Sequence, residues 1–199
     1  MKLSEIQKIL REEANEKAKL SFEKFIPSSE KVYGVRISIL NKIAKEIEES
    51  DFKLIEELWK SGAFEEKLLA IKILGWICKK NSEKTLNLIR KFSRGISDWA
   101  VCDTLATQGI RKIIREKQKE IFNISRKLIS SKNLWQRRFA IVLLTELDRQ
   151  GFDKQTIEKL LKKVENDKED YVRKAVVWLK SKLNRSLNEL KFHTSYENH

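Results

Sequence analysis

The sequence predicts an all-α protein built from repeated helix pairs, a solenoid with a concave basic groove. Three observations predict it. Helix-breaking residues are scarce, with one proline (Pro27) and six glycines in 199 residues, which favours long helices over many short strands. Apolar residues recur at helical spacing along most of the chain. A small residue followed by apolar residues returns at a nearly constant interval.

The elements read as follows. A helix is expected over 3–24, with Leu3, Ile6, Ile9 and Leu10 on one stripe. A break falls at Ile26-Pro27-Ser28-Ser29. A second helix is expected from Tyr33 to Glu49, carrying Val35, Ile39, Leu40, Ile43 and Ile47. Further helices are expected over 51–61, 65–80, 82–93, 97–114, 117–130, 133–150, 153–165 and 168–183, with a shorter one over 184–191. Polar breaks holding Gly, Asn, Asp or Ser separate them. Asp98 and Asn133 stand where helix N-caps belong.

The repeat appears when Ala70, Thr104, Ala140 and Ala175 are aligned, at intervals of 34, 36 and 35 residues. Another amphipathic helix lies between each pair. Two helices per repeat at this period resemble HEAT or armadillo arrays. No single pair can bury its own apolar stripe, so stacked pairs share one core, and small residues let neighbouring helices approach. The length suits a single domain over 1–199, its end read as a short helix and a disordered tail.

Hydrophobic residues make up 41% of the chain, which excludes wholesale disorder, and the net charge is +13. A basic balance points to a polyanionic partner, nucleic acid first and an anionic membrane surface second. A Lys-rich proteome is the bland alternative. Cys78 and Cys102 lie in apolar helical stretches without a CxxC pair, and only His193 and His199 are available to join them. No metal and no cofactor are therefore expected. Residues 1–20 are charged and amphipathic, unlike a secretory leader. No run of about twenty apolar residues is present to span a membrane. The expected location is cytoplasmic.

Four clusters carry the candidate chemistry. In "SDWAVCDTLATQ", Trp99 and Asp103 stand one turn apart on one helix face. A carboxylate in an apolar helix needs a partner or a job, although an isolated pair of this kind is ordinarily a core tryptophan with a solvated aspartate. In "NLWQRRFAIVLL", Trp135 and Arg138 share a face, and Arg137 and Arg138 open a strongly apolar helix. Arginine can grip a phosphate or pair a carboxylate through two hydrogen bonds. In "DYVRKAVVWLKSKL", Lys174 and Trp178 share a face above a stripe of Val172, Ala175, Val176 and Leu179. In "VYGVRISILNKIAKEI", Arg36 enters a helix after the Pro27 break. The three tryptophans fall in successive repeats, and equivalent positions of stacked repeats line one surface.

Taken together, YGVR (Tyr33–Arg36), WxxxD (Trp99–Asp103), NxWxxR (Asn133–Trp135–Arg138) and the late Trp178 resemble the AlkD-type DNA alkylation repair family, monofunctional DNA glycosylases built from HEAT-like repeats. The resemblance runs from about residue 20 to 183. It implies Asp103 as the catalytic carboxylate, with Trp99 and Trp178 flanking the lesion. It implies Arg138 on the DNA backbone, and Phe25 as the upstream aromatic that approaches the lesion. Phe25 carries no hydroxyl, so a hydrogen bond at that position is lost. Trp135, Arg137, Arg36 and Lys174 complete the expected DNA-binding set. The chain ends soon after Trp178, where relatives continue through another helix pair, so a shorter groove and weaker DNA affinity are expected.

The reaction implied is hydrolysis of the N-glycosidic bond of positively charged alkylpurines, N7-alkylguanine and N3-alkyladenine, in double-stranded DNA. No lysine is evidently placed for a Schiff base, so no lyase step is expected, and the family implies a monomer. Three alternatives stand beside this reading. One is a non-catalytic binder of branched or distorted DNA, whose representatives lack the Trp–Asp pair. Another is a HEAT-type scaffold for acidic proteins, which leaves Asp103 among the tryptophans unexplained. The last is a helix-hairpin-helix glycosylase, whose Gly-rich hairpin is missing here.

Overall fold

The computed structural model describes residues 1–27, 30–47 and 50–196, with side chains up to Leu183. Among the described residues there are helices and turns and no strand. The protein is all-α, with its helices packed in a repeat-like arrangement. Two compact units divide it, Met1–Ile113 and Ile114–His199.

The first unit contains α1 (Leu3–Glu12), α2 (Glu16–Phe22), α3 (Ile37–Glu46), α4 (Phe52–Ser61), α5 (Phe64–Ile77), α6 (Ser82–Phe92) and α7 (Trp99–Gln108). At its centre α5 packs against α4 and is flanked by α3 and α7. All of α5 is buried except Trp76. The second unit contains α8 (Gln118–Leu128), α9 (Leu134–Arg149), α10 (Lys154–Leu161) and α11 (Asp170–Tyr196). Here α9 is central, packed against α8, α10 and α11.

The repeat register falls on every second helix: Ala70 on α5, Thr104 on α7, Ala140 on α9 and Ala175 on α11. The three alanines are buried where neighbours press close, whereas Thr104 is only half-buried. Acidic and amide caps start many of the helices. Asn15, Asp51, Asn81, Asp98, Asn133 and Asp153 each accept a backbone N–H of the first turn, worth about 1 kcal/mol apiece. Gly62 (φ 86°) and Gly151 (φ 77°) follow α4 and α9 in the left-handed region that ends helices.

Several expected boundaries move. The helix expected over 3–24 is two helices, because the chain turns at 13–15 and Asn15 caps α2 through Ala18 N at 3.0 Å. The Asn15 N–H also bonds Gly34 O at 3.0 Å. Gly34 has φ 89°, and a Cβ there would stand 2.6 Å from Asn15 O, so only glycine fits the crossing. The helix expected from Tyr33 begins at Ile37, because a buried carboxylate takes the backbone N–H groups before it. The helix expected over 97–114 stops at Gln108 and gives way to turns. At the other end, α11 runs unbroken from Asp170 to Tyr196 with no stop near 184; residues 197–199, the end of the expected tail, lie outside the described residues.

Among the described residues no helix is long and apolar enough to cross a membrane, and no group of His, Cys, Asp or Glu is arranged to hold a metal ion.

Candidate active site

In the first unit the site is built on α7. Val101, Cys102, Leu105 and Ala106 bury one side of this helix. Trp99, Asp103 and Thr107, with Ala100, Thr104 and Gln108 beside them, form the open stripe. Trp99 is the first helical residue and is 38% exposed, while Asp103 is half-buried one turn later. Thr107 Oγ1 donates to the Asp103 carbonyl at 2.8 Å.

Asp98 anchors the start of this stripe. Its Oδ1 accepts Val101 N–H at 2.8 Å, and its Oδ2 is buried without a hydrogen-bond partner. Burial first, and the nearby Glu30 charge next, raise its pKa to about 6, against the lowering effect of the cap hydrogen bonds. Next along the chain, Trp99 meets Phe25. The rings are 5.1 Å apart and inclined at 42°. Phe25 in turn meets Phe64 edge-on at 6.1 Å, and Phe22 lies against both. The upstream aromatic expected from the sequence is thus seated directly beside Trp99.

The YGVR segment is held by two residues that sequence reasoning missed, Glu65 and Glu66 at the start of α5. The Glu65 carboxylate accepts the N–H groups of Tyr33 (3.0 Å), Gly34 (2.7 Å) and Val35 (3.0 Å). Glu66 accepts from the Tyr33 hydroxyl at 2.7 Å and from Gln7 at 3.1 Å. Burial and the Glu66 hydrogen bond hold the Tyr33 phenol well above its ordinary pKa. Two adjacent acids opening an apolar helix were the only local signal. Arg36 follows this brace at the N-cap position of α3 and points its side chain to solvent.

In the second unit Asn133 caps α9, its Oδ1 accepting Trp135 N–H at 2.8 Å. Trp135 and Arg138 converge on Tyr171 in the first turn of α11. The Trp135 and Tyr171 rings are 4.9 Å apart, and the Arg138 guanidinium donates to Tyr171 O at 2.7 Å. Tyr171 was not singled out in the sequence, although with Lys174 and Trp178 it keeps helical spacing on one stripe. Lys174 pairs with Asp170 at 2.6 Å. Trp178 is half-buried, with the Arg149 guanidinium 5.7 Å from its ring centroid.

Arg137 departs from its expected role. It is 8% exposed and turned inward. Its Nε and Nη2 donate to the two Asp167 oxygens at 2.6 and 2.9 Å, and its Nη1 to the carbonyls of Ser131 and Lys132. This bidentate pair holds Asp167 below the ordinary carboxylate range and staples the approach to α11 onto α9. A guanidinium so fully used is a structural brace and not a phosphate ligand.

Residues 6–183 match the family model described as DNA alkylation repair enzyme. The chain belongs to that family, and its role lies in alkylation repair with DNA as partner. No curated protein matches it.

Proposed function

We propose that the protein is a monofunctional DNA glycosylase that excises positively charged alkylpurines, N7-alkylguanine and N3-alkyladenine, from duplex DNA. The observation that carries this is the open stripe of α7, where Asp103 follows Trp99 by one turn and Trp99 rests on Phe25. Alkylation places a positive charge on the base and weakens the glycosidic bond. As that bond breaks, its electron pair leaves with the base and neutralises it, while the sugar becomes oxocarbenium-like. An ionised Asp103 beside the deoxyribose opposes the developing charge, orients the water that adds to C1′ and accepts the proton that this water gives up. Such preorganised electrostatics is typically worth a few kcal/mol in a water-poor site.

Trp99 excludes water and turns its π face to the cationic nucleotide, at about 0.5–2 kcal/mol for the contact, and the family resemblance gives Trp178 a part in lesion contact. Arg138, with Trp135 behind it, takes the phosphate backbone, and Arg36 and Lys174 add exposed charge. The protein works as a monomer inside the cell, where the DNA is. The test is release of free 7-methylguanine from methylated duplex by the wild type and by Asp103→Asn. Release that collapses in the variant while DNA binding persists supports the reading. A folded wild type that binds DNA and releases nothing overturns it in favour of a non-catalytic binder of distorted DNA.

A further inference from the structure

Two lysines of α5 are almost wholly buried, and only one is neutralised. Lys67 is paired with Glu30 at 2.8 Å. Lys72 is 5% exposed, and its ammonium is held by two neutral amides, Asn41 Oδ1 at 2.7 Å and Gln108 Oε1 at 3.2 Å. Among the described residues no carboxylate pairs with it. Burial first, and repulsion from the Arg111 guanidinium next, push the Lys72 pKa down.

An ammonium so placed is costly unless something compensates it, and the site lies at the surface. Asn41 and Arg111 are exposed and Gln108 is half-buried, so Lys72 forms the floor between α3 and α7. Arg111 is fixed in place: its guanidinium lies 3.9 Å over the Trp76 ring, and its Nε reaches Gly75 O at 3.4 Å. Gly75 lets α7 come this close, since a Cβ there would stand 2.2 Å from Gln108 O. Lys112 also stacks on Trp76, at 4.6 Å, and donates to Trp76 O. Arg111 and Lys112 thus serve helix-end carbonyls as well, whereas Lys72 has no such use.

We propose that Lys72 and Arg111, framed by Asn41, form a binding site for one DNA phosphodiester. This rests on the functional reading above. Gln108 follows Asp103 on the open stripe by five residues, about 7.5 Å along α7. The site therefore stands about one and a half helical turns of α7 from Asp103. The arriving phosphate supplies the counter-charge that Lys72 lacks.

The test is binding of an undamaged duplex oligonucleotide at a series of salt concentrations by the wild type, Lys72→Met and Arg111→Gln. Each variant is expected to reduce the slope of log affinity against log salt by about 0.9, the loss of one phosphate contact. Lys72→Met is expected to melt no lower than the wild type without DNA. Both variants keeping the wild-type slope would overturn the site, as would affinity lost with the slope unchanged. The outcome separates from failure of the glycosylase reading. A wild type that does not bind duplex sinks both. Base release that depends on Asp103, with slopes unchanged in both cation variants, sinks the phosphate site alone.

Discussion

Phe25 supports Trp99: the rings are 5.1 Å apart, and Phe25 is itself pressed edge-on against Phe64 from α5. An exposed aromatic of the candidate site therefore takes its position from the core of its unit. Aromatic pairs of this kind contribute about 0.5–1.5 kcal/mol beyond their burial. Phe25→Ala is expected to slow single-turnover release of 7-methylguanine by up to about tenfold, while Phe25→Tyr retains it. Equal rates for Phe25→Ala and the wild type would show that Trp99 needs no support.

The cap of α7 gives a pH dependence with a definite sign. Asp98 has its pKa raised from 3.8 to about 6 by burial, so the folded protein binds this proton more tightly than the unfolded chain. The contribution is fully present below about pH 4 and is lost as pH rises through 6, about 2–3 kcal/mol in all. Asp98→Asn keeps a good N-cap and removes the titration. Denaturant unfolding of wild type and variant between pH 4 and 8 should show the variant gaining on the wild type as pH rises. Parallel curves would mean that Asp98 stays ionised in the folded protein at acid pH.

Arg137→Ala leaves Asp167 buried without its guanidinium. The expected cost is about 3–5 kcal/mol of stability, read from the denaturation midpoint. The salt slope of DNA binding should stay that of the wild type, and a fall by one contact would return Arg137 to the DNA. Asp167 has its pKa lowered chiefly by the Arg137 hydrogen bonds. Its stabilisation is present above the ordinary carboxylate range and fades as pH falls through the lower folded value.

Glu65→Ala orphans three backbone N–H groups at once. At about 1–3 kcal/mol for each unsatisfied buried group, partly relieved by water, a loss of several kcal/mol is expected. Glu65→Gln, which keeps an acceptor oxygen, should lose clearly less. Equal midpoints for the two variants would place the stabilisation in packing and not in these hydrogen bonds.

The sequence reveals what local rules govern. The helix register, the alternation of repeat helices and the caps at Asp98 and Asn133 all follow from spacing and residue type. The start of α3 does not, because Glu65 competes for the amides of Tyr33 to Val35 from 30 or more residues away. Nor does the choice between Arg137 and Arg138. The two are adjacent and chemically identical, and Asp167, 30 positions downstream, takes one of them. Trp99 and Asp103 were legible because helical spacing alone puts them on one stripe. Tyr171 was overlooked because it closes its contacts across helices, with Trp135 and Arg138.

The carboxylate of Glu65 also ties three amides into one event. Tyr33, Gly34 and Val35 lie outside any helix, yet none can exchange its hydrogen with solvent while Glu65 is docked. When α5 withdraws, all three are exposed together. Isotope labelling of these neighbouring peptide groups should therefore give one common protection factor, that of the opening which frees the N-terminal segment from α5.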